Sequence, residues 1–144
     1  MKIFISKIQA IQDFLDDGLF EVIGNEAVSH YRASFRNQGF TDRGIVRWKN
    51  VQRRTNPRDA SKAAASRPIL TGSGELGNSI LWKRAVRDIE IYSDKIYAEV
   101  HNKGLRAGRG KGFQMPKRQF IGQSATLTKR MNQKIAQRLK TITQ

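Results

Sequence analysis

Chemically capable side chains gather in four places in this sequence: two glycine-rich stretches, a pair of histidines and a set of cationic tracts. The first stretch, LTGSGELGNSI at residues 70–80, sets Gly72, Gly74 and Gly77 among four hydroxyl or amide side chains. Glycine frees backbone N–H groups to cradle a phosphate, but a P-loop needs G-x-x-x-x-G-K-[ST]. Here Asn78 follows Gly77 and the next lysine is Lys83, so the nucleotide reading fails. The local chemistry supports a turn at Thr71 and Gly72. Ser73 reads as a helix N-cap, with Glu75 in the first turn, followed by one or two turns through Leu76 and Ile80: a structural corner.

His30 and His101 are the two histidines, and neither belongs to an H-x-x-x-H or H-E-x-x-H pattern or to a carboxylate cluster, so no metal site is expected. No G-x-S-x-G elbow occurs, and seven acids spread through residues 41–144 suggest no paired-carboxylate site, which disfavours a cell-wall hydrolase. With no cysteine, neither a disulfide nor a thiol nucleophile can form. The reading is a protein without catalytic residues, cofactor or metal.

Charge is the strongest signal, and it is lopsided. Residues 1–40 carry four Lys/Arg against five Asp/Glu, whereas residues 41–144 carry 23 against seven and supply the formal net charge of +15. Three acid-poor tracts stand out: Arg43–Arg67, Lys103–Arg118 and Lys129–Lys140. Such a field attracts polyanions through counterion release whatever its detailed shape. It also describes a solvated face, and no familiar nucleic-acid module accompanies it.

The elements that position these residues fit one α+β domain over residues 1–144, a length that buries a modest core. Residues 1–5 read as a short strand, followed by a helix from Ser6 to Asp16 with Ile8, Ile11 and Leu15 in phase. Neither a signal peptide nor a membrane span is expected, because the opening apolar run is short and interrupted by Ser6 and Lys7. A long helix from Asp17 to Asn37 carries Leu19, Val22, Ile23, Ala27, Tyr31 and Phe35 on one face, with Gly39 as its stop. Residues 41–69 read as an extended basic loop, with a short helix at Asp59–Ala65 and with Trp48 either pinning the loop to the core or anchoring an interface. A hairpin follows, Ile80–Val86 with Ile89–Tyr92, then a short helix at Ile96–Asn102 closed by Gly104. Residues 105–115 are expected to form a flexible, exposed glycine and cation tongue. The last helix, Ala125 to about Thr141, buries Leu127, Met131, Ile135 and Leu139.

The order of these pieces carries a resemblance. HYRASFRNQGF, RWKNVQRRT, ILTGSGELGNSI, IYAEVHNKG and MPKRQFIGQS succeed one another much as F-x-x-q-x-x-x-x-G-x-x-W, I-L-x-x-[TS]-G-x-L-x-x-S-I, Y-A-x-x-H-x-x-G and i-P-x-R-x-F-[LI]-G do in the phage virion morphogenesis family. These are the tail completion proteins of tailed phages and prophages, and the resemblance spans about residues 10–138. It rests on Phe35, Gln38, Trp48, Ile69, Leu70, Gly72, Leu76, Ser79, Ile80, Tyr97, Ala98, His101, Gly104, Pro116, Arg118, Phe120, Ile121 and Gly122, with Ser73 beside the motif glycine. The sequence departs at Thr-Gly-Ser-Gly, residues 71–74, and at Lys117, where the family commonly has a small residue.

The resemblance implies long N- and C-terminal helices on a small antiparallel sheet, and a structural role at the head-to-tail junction of the virion. Its implied partners are other neck, connector or tail proteins, with further copies of itself in a ring, and its location is the virion, reached from the host cytoplasm. Expected interface residues are Trp48, Lys103, Arg106, Arg109, Lys111 and Lys117. Non-specific contact with packaged DNA stays open, and a basic nucleic-acid-binding protein is the alternative.

Overall fold

The computed structural model describes residues 2–51, 54 and 66–144. The expected N-terminal strand is replaced by helix: α1 runs Lys2–Asp13, a single wide π turn spans Phe14–Gly18, and α2 runs Leu19–Asn37. A lone strand would leave its backbone groups unpaired, whereas a helix satisfies its own. The two expected helices are thus one rod interrupted by a π turn, a feature that shifts the phase of the apolar stripe. Phe14 turns inward there, and Gly18 makes room for it, since a Cβ at Gly18 would stand 2.8 Å from the Phe14 ring.

Gln38, rather than Gly39, ends α2. It takes the left-handed conformation (φ 52°) and its N–H reaches Ser34 O. Gly39 instead opens β1 (Gly39–Thr41), which pairs antiparallel with β2 (Ile45–Arg47), Phe40 opposite Val46. A Cβ at Gly39 would lie 2.5 Å from Val46 O, so the close strand approach requires glycine. The start of the expected extended loop is therefore a hairpin, missed because three-residue strands show too few alternations to read. The expected helix at 59–65 lies outside the described residues.

The glycine corner closes with α3 (Glu75–Asn78), capped by Gly74 at φ 78° instead of by Ser73, whose Oγ accepts only a long 3.4 Å bond from Glu75 N–H. Next come β3 (Ile80–Arg84) and β4 (Ile89–Ser93), in register with Trp82 opposite Ile91. The turn starts earlier than expected: Ala85 N–H donates to Asp88 O at 2.8 Å, leaving Val86 93% exposed at the tip. Helix α4 (Ala98–Lys103) ends at Gly104, φ 71°. The tongue is a third hairpin, β5 (Arg106–Ala107) with β6 (Phe113–Gln114), and α5 (Ala125–Thr143) completes the chain. The fold is α+β, its strands paired as three separate two-stranded antiparallel units.

Helix α2 is the spine, packing against α5 on one side and against β1, β3 and β4 on others. Its Ala27, Tyr31 and Phe35 meet Phe40, Trp48, Ile69, Ile80 and Phe120 in one core. Phe35 stands edge-on to Trp48 at 5.4 Å and tilted against Phe120 at 5.2 Å, geometries that aromatic quadrupoles favour. On α5, Leu127 is buried while Met131, Ile135 and Leu139 are half-buried, so the expected stripe exists but only its first member reaches the core. Across the α2–α5 seam the Glu26 carboxylate, only 5% exposed, meets Arg130 and, at 3.2 Å, Lys134. No described helix is long and apolar enough to cross a membrane.

Candidate functional site

Most residues that the sequence motifs single out hold chain crossings together. Gln38, fixed by its left-handed backbone, accepts Ile69 N–H on Oε1 at 2.5 Å and donates from Nε2 to Phe35 O at 2.6 Å and Ile69 O at 3.2 Å. One side chain thereby sews the segment entering the glycine corner to the end of α2. Leu76 and Ile80 plug into the core, and Ser79 Oγ donates to Leu76 O at 2.8 Å. Gly72 is exposed, a Cβ there would meet open space, and nothing in the structure explains its glycine.

Around MPKRQFIG the accounting is equally complete. Asn102, on α4, accepts the N–H groups of Phe120 (2.8 Å) and Ile121 (2.9 Å) on Oδ1 and donates to Ile121 O at 3.0 Å. Arg118 N–H donates to His101 O at 2.8 Å, and its buried guanidinium reaches Lys49 O and Asn50 O at 3.2 and 3.4 Å. Tyr31 Oη–H donates to Gly122 O at 2.8 Å. Gly104 backs onto the Pro116–Lys117 segment so closely that a Cβ would sit 2.8 Å from Lys117 N. Tyr97 stands edge-on to His101, ring centroids 6.1 Å apart. Ser124 caps α5, accepting Leu127 N–H at 3.1 Å, while Asp42 Oδ1 takes Ala125 N–H at 2.7 Å and fills the helix N-terminus with an internal carboxylate.

Trp48 is placed as the first of its two expected roles requires. It is 7% exposed, its indole N–H donates to Gln119 O at 2.7 Å and its backbone N–H to Gln38 O at 2.9 Å, so it pins its segment to the core. The cations expected beside it at an interface are on the surface instead. Lys103 is held by Glu99 at 2.6 Å, one helical turn back. Arg106, Arg109, Lys111 and Lys117 are exposed, and no acid among the described residues faces them.

The hairpin that carries these cations is built by its glycines. Gly108, Gly110 and Gly112 have φ of 91°, 62° and 57°, a run that other residues enter only with strain. Met115 N–H returns to Leu105 O at 3.0 Å, closing the base. Within the expected tongue the chain forms a tight turn, and it lifts half-exposed Phe113 and Leu105 among the cations.

The histidines are structural in placement. His30 is buried on α2, its Nε2–H pointing at Thr41 O at 3.0 Å; burial pushes its pKa down, a pull that the Thr41 bond partly opposes. His101 is also lowered, first by burial and then by the Arg118 guanidinium. Among the described residues no three His, Asp or Glu side chains converge as metal ligands would. Sequence reasoning missed Asn102, Asp42 and Glu26. Of these only Asn102 left a trace, as the residue between His101 and Lys103 inside the motif.

Comparison with known families gives one finding: residues 9–140 match the phage virion morphogenesis family. No curated protein and no solved structure matches the chain.

Proposed function

The chain belongs to the phage virion morphogenesis family, and from that premise we propose that it acts at the head-to-tail junction as a tail completion, neck or connector component. Assembly of the phage virion with other structural proteins is the family's role. Beyond that role we infer the junction, the ring of copies and working contacts through protein surfaces. One observation carries it: the motif side chains are engaged in internal clamps, while the β5–β6 hairpin presents unpaired Arg106, Arg109 and Lys111 beside exposed Phe113. Cations interleaved with an aromatic suit a protein interface, where an apolar anchor supplies affinity and charge supplies steering.

The test reverses charge at Arg106, Arg109 and Lys111 to Glu and supplies the variant to virions lacking the gene product. The fold should survive, since these side chains are exposed and pair with no acid among the described residues, and joining should fail, giving filled capsids with detached tails. Normal particle yield would sink the hairpin's role.

A basic nucleic-acid-binding protein is the second reading, favoured by the acid-free run of cations along α5 from Lys129 to Lys140. A footprint of six or more phosphates would bind DNA tightly at 50 mM salt and lose on the order of a thousandfold in affinity by 200 mM. Weak binding without that slope supports assembly through protein contacts.

A further inference from the structure

Helix α1 carries apolar residues on two sides, and the fold covers one of them. Its inner side leans on the end of α5: Lys7 Nζ donates to Thr143 O at 2.9 Å and Gln144 O at 3.2 Å, and Ala10 and Phe14 share a recess with Arg138 and Ile142. Ile5, Ile8 and Leu15 lie on the outer side, at spacings of three and seven that keep one helical face, and all three are exposed. Acids flank that face. Asp13 accepts from Gln9 at 2.9 Å, and neither it nor Asp16, one turn on, pairs with a cation among the described residues. By contrast Glu26, Glu75, Glu90 and Glu99 are each tied to a lysine or arginine of the chain. The β5–β6 hairpin is the counterpart of this face. Arg106, Arg109 and Lys111 are exposed with Leu105 and Phe113 among them, and the Phe113 ring is backed by Gly108, where a Cβ would touch it at 3.4 Å. One patch sets carboxylates around apolar side chains, the other sets cations around them, and no ion pair joins the two within the chain.

We propose that the outer face of α1 docks on the β5–β6 hairpin of a second copy of this chain. Asp13 and Asp16 pair with the hairpin cations, while Ile8 and Leu15 pack on Phe113 and Leu105. Because the two surfaces differ, each copy offers one and accepts the other, a heterologous contact that closes a ring when its rotation allows. A nucleic-acid backbone would satisfy the cations but leave Phe113, Leu105 and the acid-flanked face of α1 without a role. The net charge of +15 opposes the approach of two copies, but at about 150 mM salt that repulsion fades beyond about 8 Å, whereas touching pairs keep their attraction. So small a contact is weak alone and gains strength by repetition around a ring. It rests on the reading of a ring of copies and gives that ring its two surfaces.

Sedimentation velocity of the full chain from about 10 µM to about 1 mM, in about 150 mM salt, tests the contact. Average mass should rise with concentration. Asp13→Lys with Asp16→Lys should hold the chain monomeric, and so should Arg106→Glu with Arg109→Glu, although the second pair of changes lowers the net charge and eases repulsion. An equimolar mixture of the two variants should associate again, because each then meets a surface of opposite sign, and mixing cannot rescue a misfolded chain. Three results would each overturn the contact: a wild-type chain still monomeric at about 1 mM, either variant associating as the wild type does, or a mixture that stays monomeric. In virions the two ideas separate. Failed joining by the hairpin reversal together with normal joining by the α1 variant removes the contact between copies and leaves the junction role standing. Restored association in the mixture together with normal joining by both variants keeps the contact and removes the junction role.

Discussion

Asn102 shows how one side chain can outweigh its size. Its amide closes three bonds to the Phe120–Ile121 backbone, and Phe120 is fully buried, so truncation strands two inward N–H groups where water cannot reach them. Asn102→Ala should destabilise the chain by about 2–4 kcal/mol, whereas Asn102→Asp, which keeps the acceptor, should cost less. Denaturant midpoints at constant m-value would measure the difference. His30 makes a second prediction, in pH. Its folded pKa is depressed by burial, so between that value and the unfolded 6.5 the unfolded chain binds more protons and stability falls as pH falls. His101 has the same sign. Melting temperature should therefore drop as pH is lowered from about 7 towards 5, and His30→Gln, which keeps a donor for Thr41 O, should flatten part of that slope.

At the scale of elements, the contact that orients the sheet against the spine is glycine against tryptophan. A Cβ on Gly24 would lie 2.2 Å from the Trp82 indole, whose N–H is held by Asn25 Oδ1 at 3.0 Å. Gly24→Ala gains helix propensity but must push β3 away from α2, and about 1–3 kcal/mol of net destabilisation is expected, with loss of the Trp82 fluorescence environment as its signature. The long elements were legible because period 3.6 repeats over many residues: α2 and α5 lie within two residues of their expected ends. The short ones were not. The β1–β2 and β5–β6 pairs have strands of two or three residues, and their existence depends on a backbone partner that no local pattern names. The N-terminal run was misjudged for a related reason, since its strand-forming residues had no strand to pair with.

For the whole molecule, charge decides behaviour outside its assembly. Six ion pairs occur among the described residues, most of them exposed, and because pairing an acid with a base leaves net charge unchanged the whole +15 surplus remains. Exposed pairs contribute little and screening relieves like-charge repulsion, so the isolated chain should melt higher at about 200 mM salt than at about 20 mM. A fall would mean that internal pairs such as Glu26 with Arg130 dominate instead.

Fold class, the two long helices and the central hairpin could be read from residue order alone, because periodicity and turn chemistry are local properties, and the spacing of four motifs pointed to the family that residues 9–140 match. Folding decided which motif residues face inward. Residue order left Trp48 between pinning the loop and anchoring an interface and set Arg118 in a cationic tract, yet both end in the interior, and the glycine corner gained a cationic wall only when α2 came to lie beside it. Those outcomes depend on bonds spanning as many as 71 residues, from Trp48 to Gln119, and contact at that separation is set by packing, which leaves no mark on neighbouring positions in the chain.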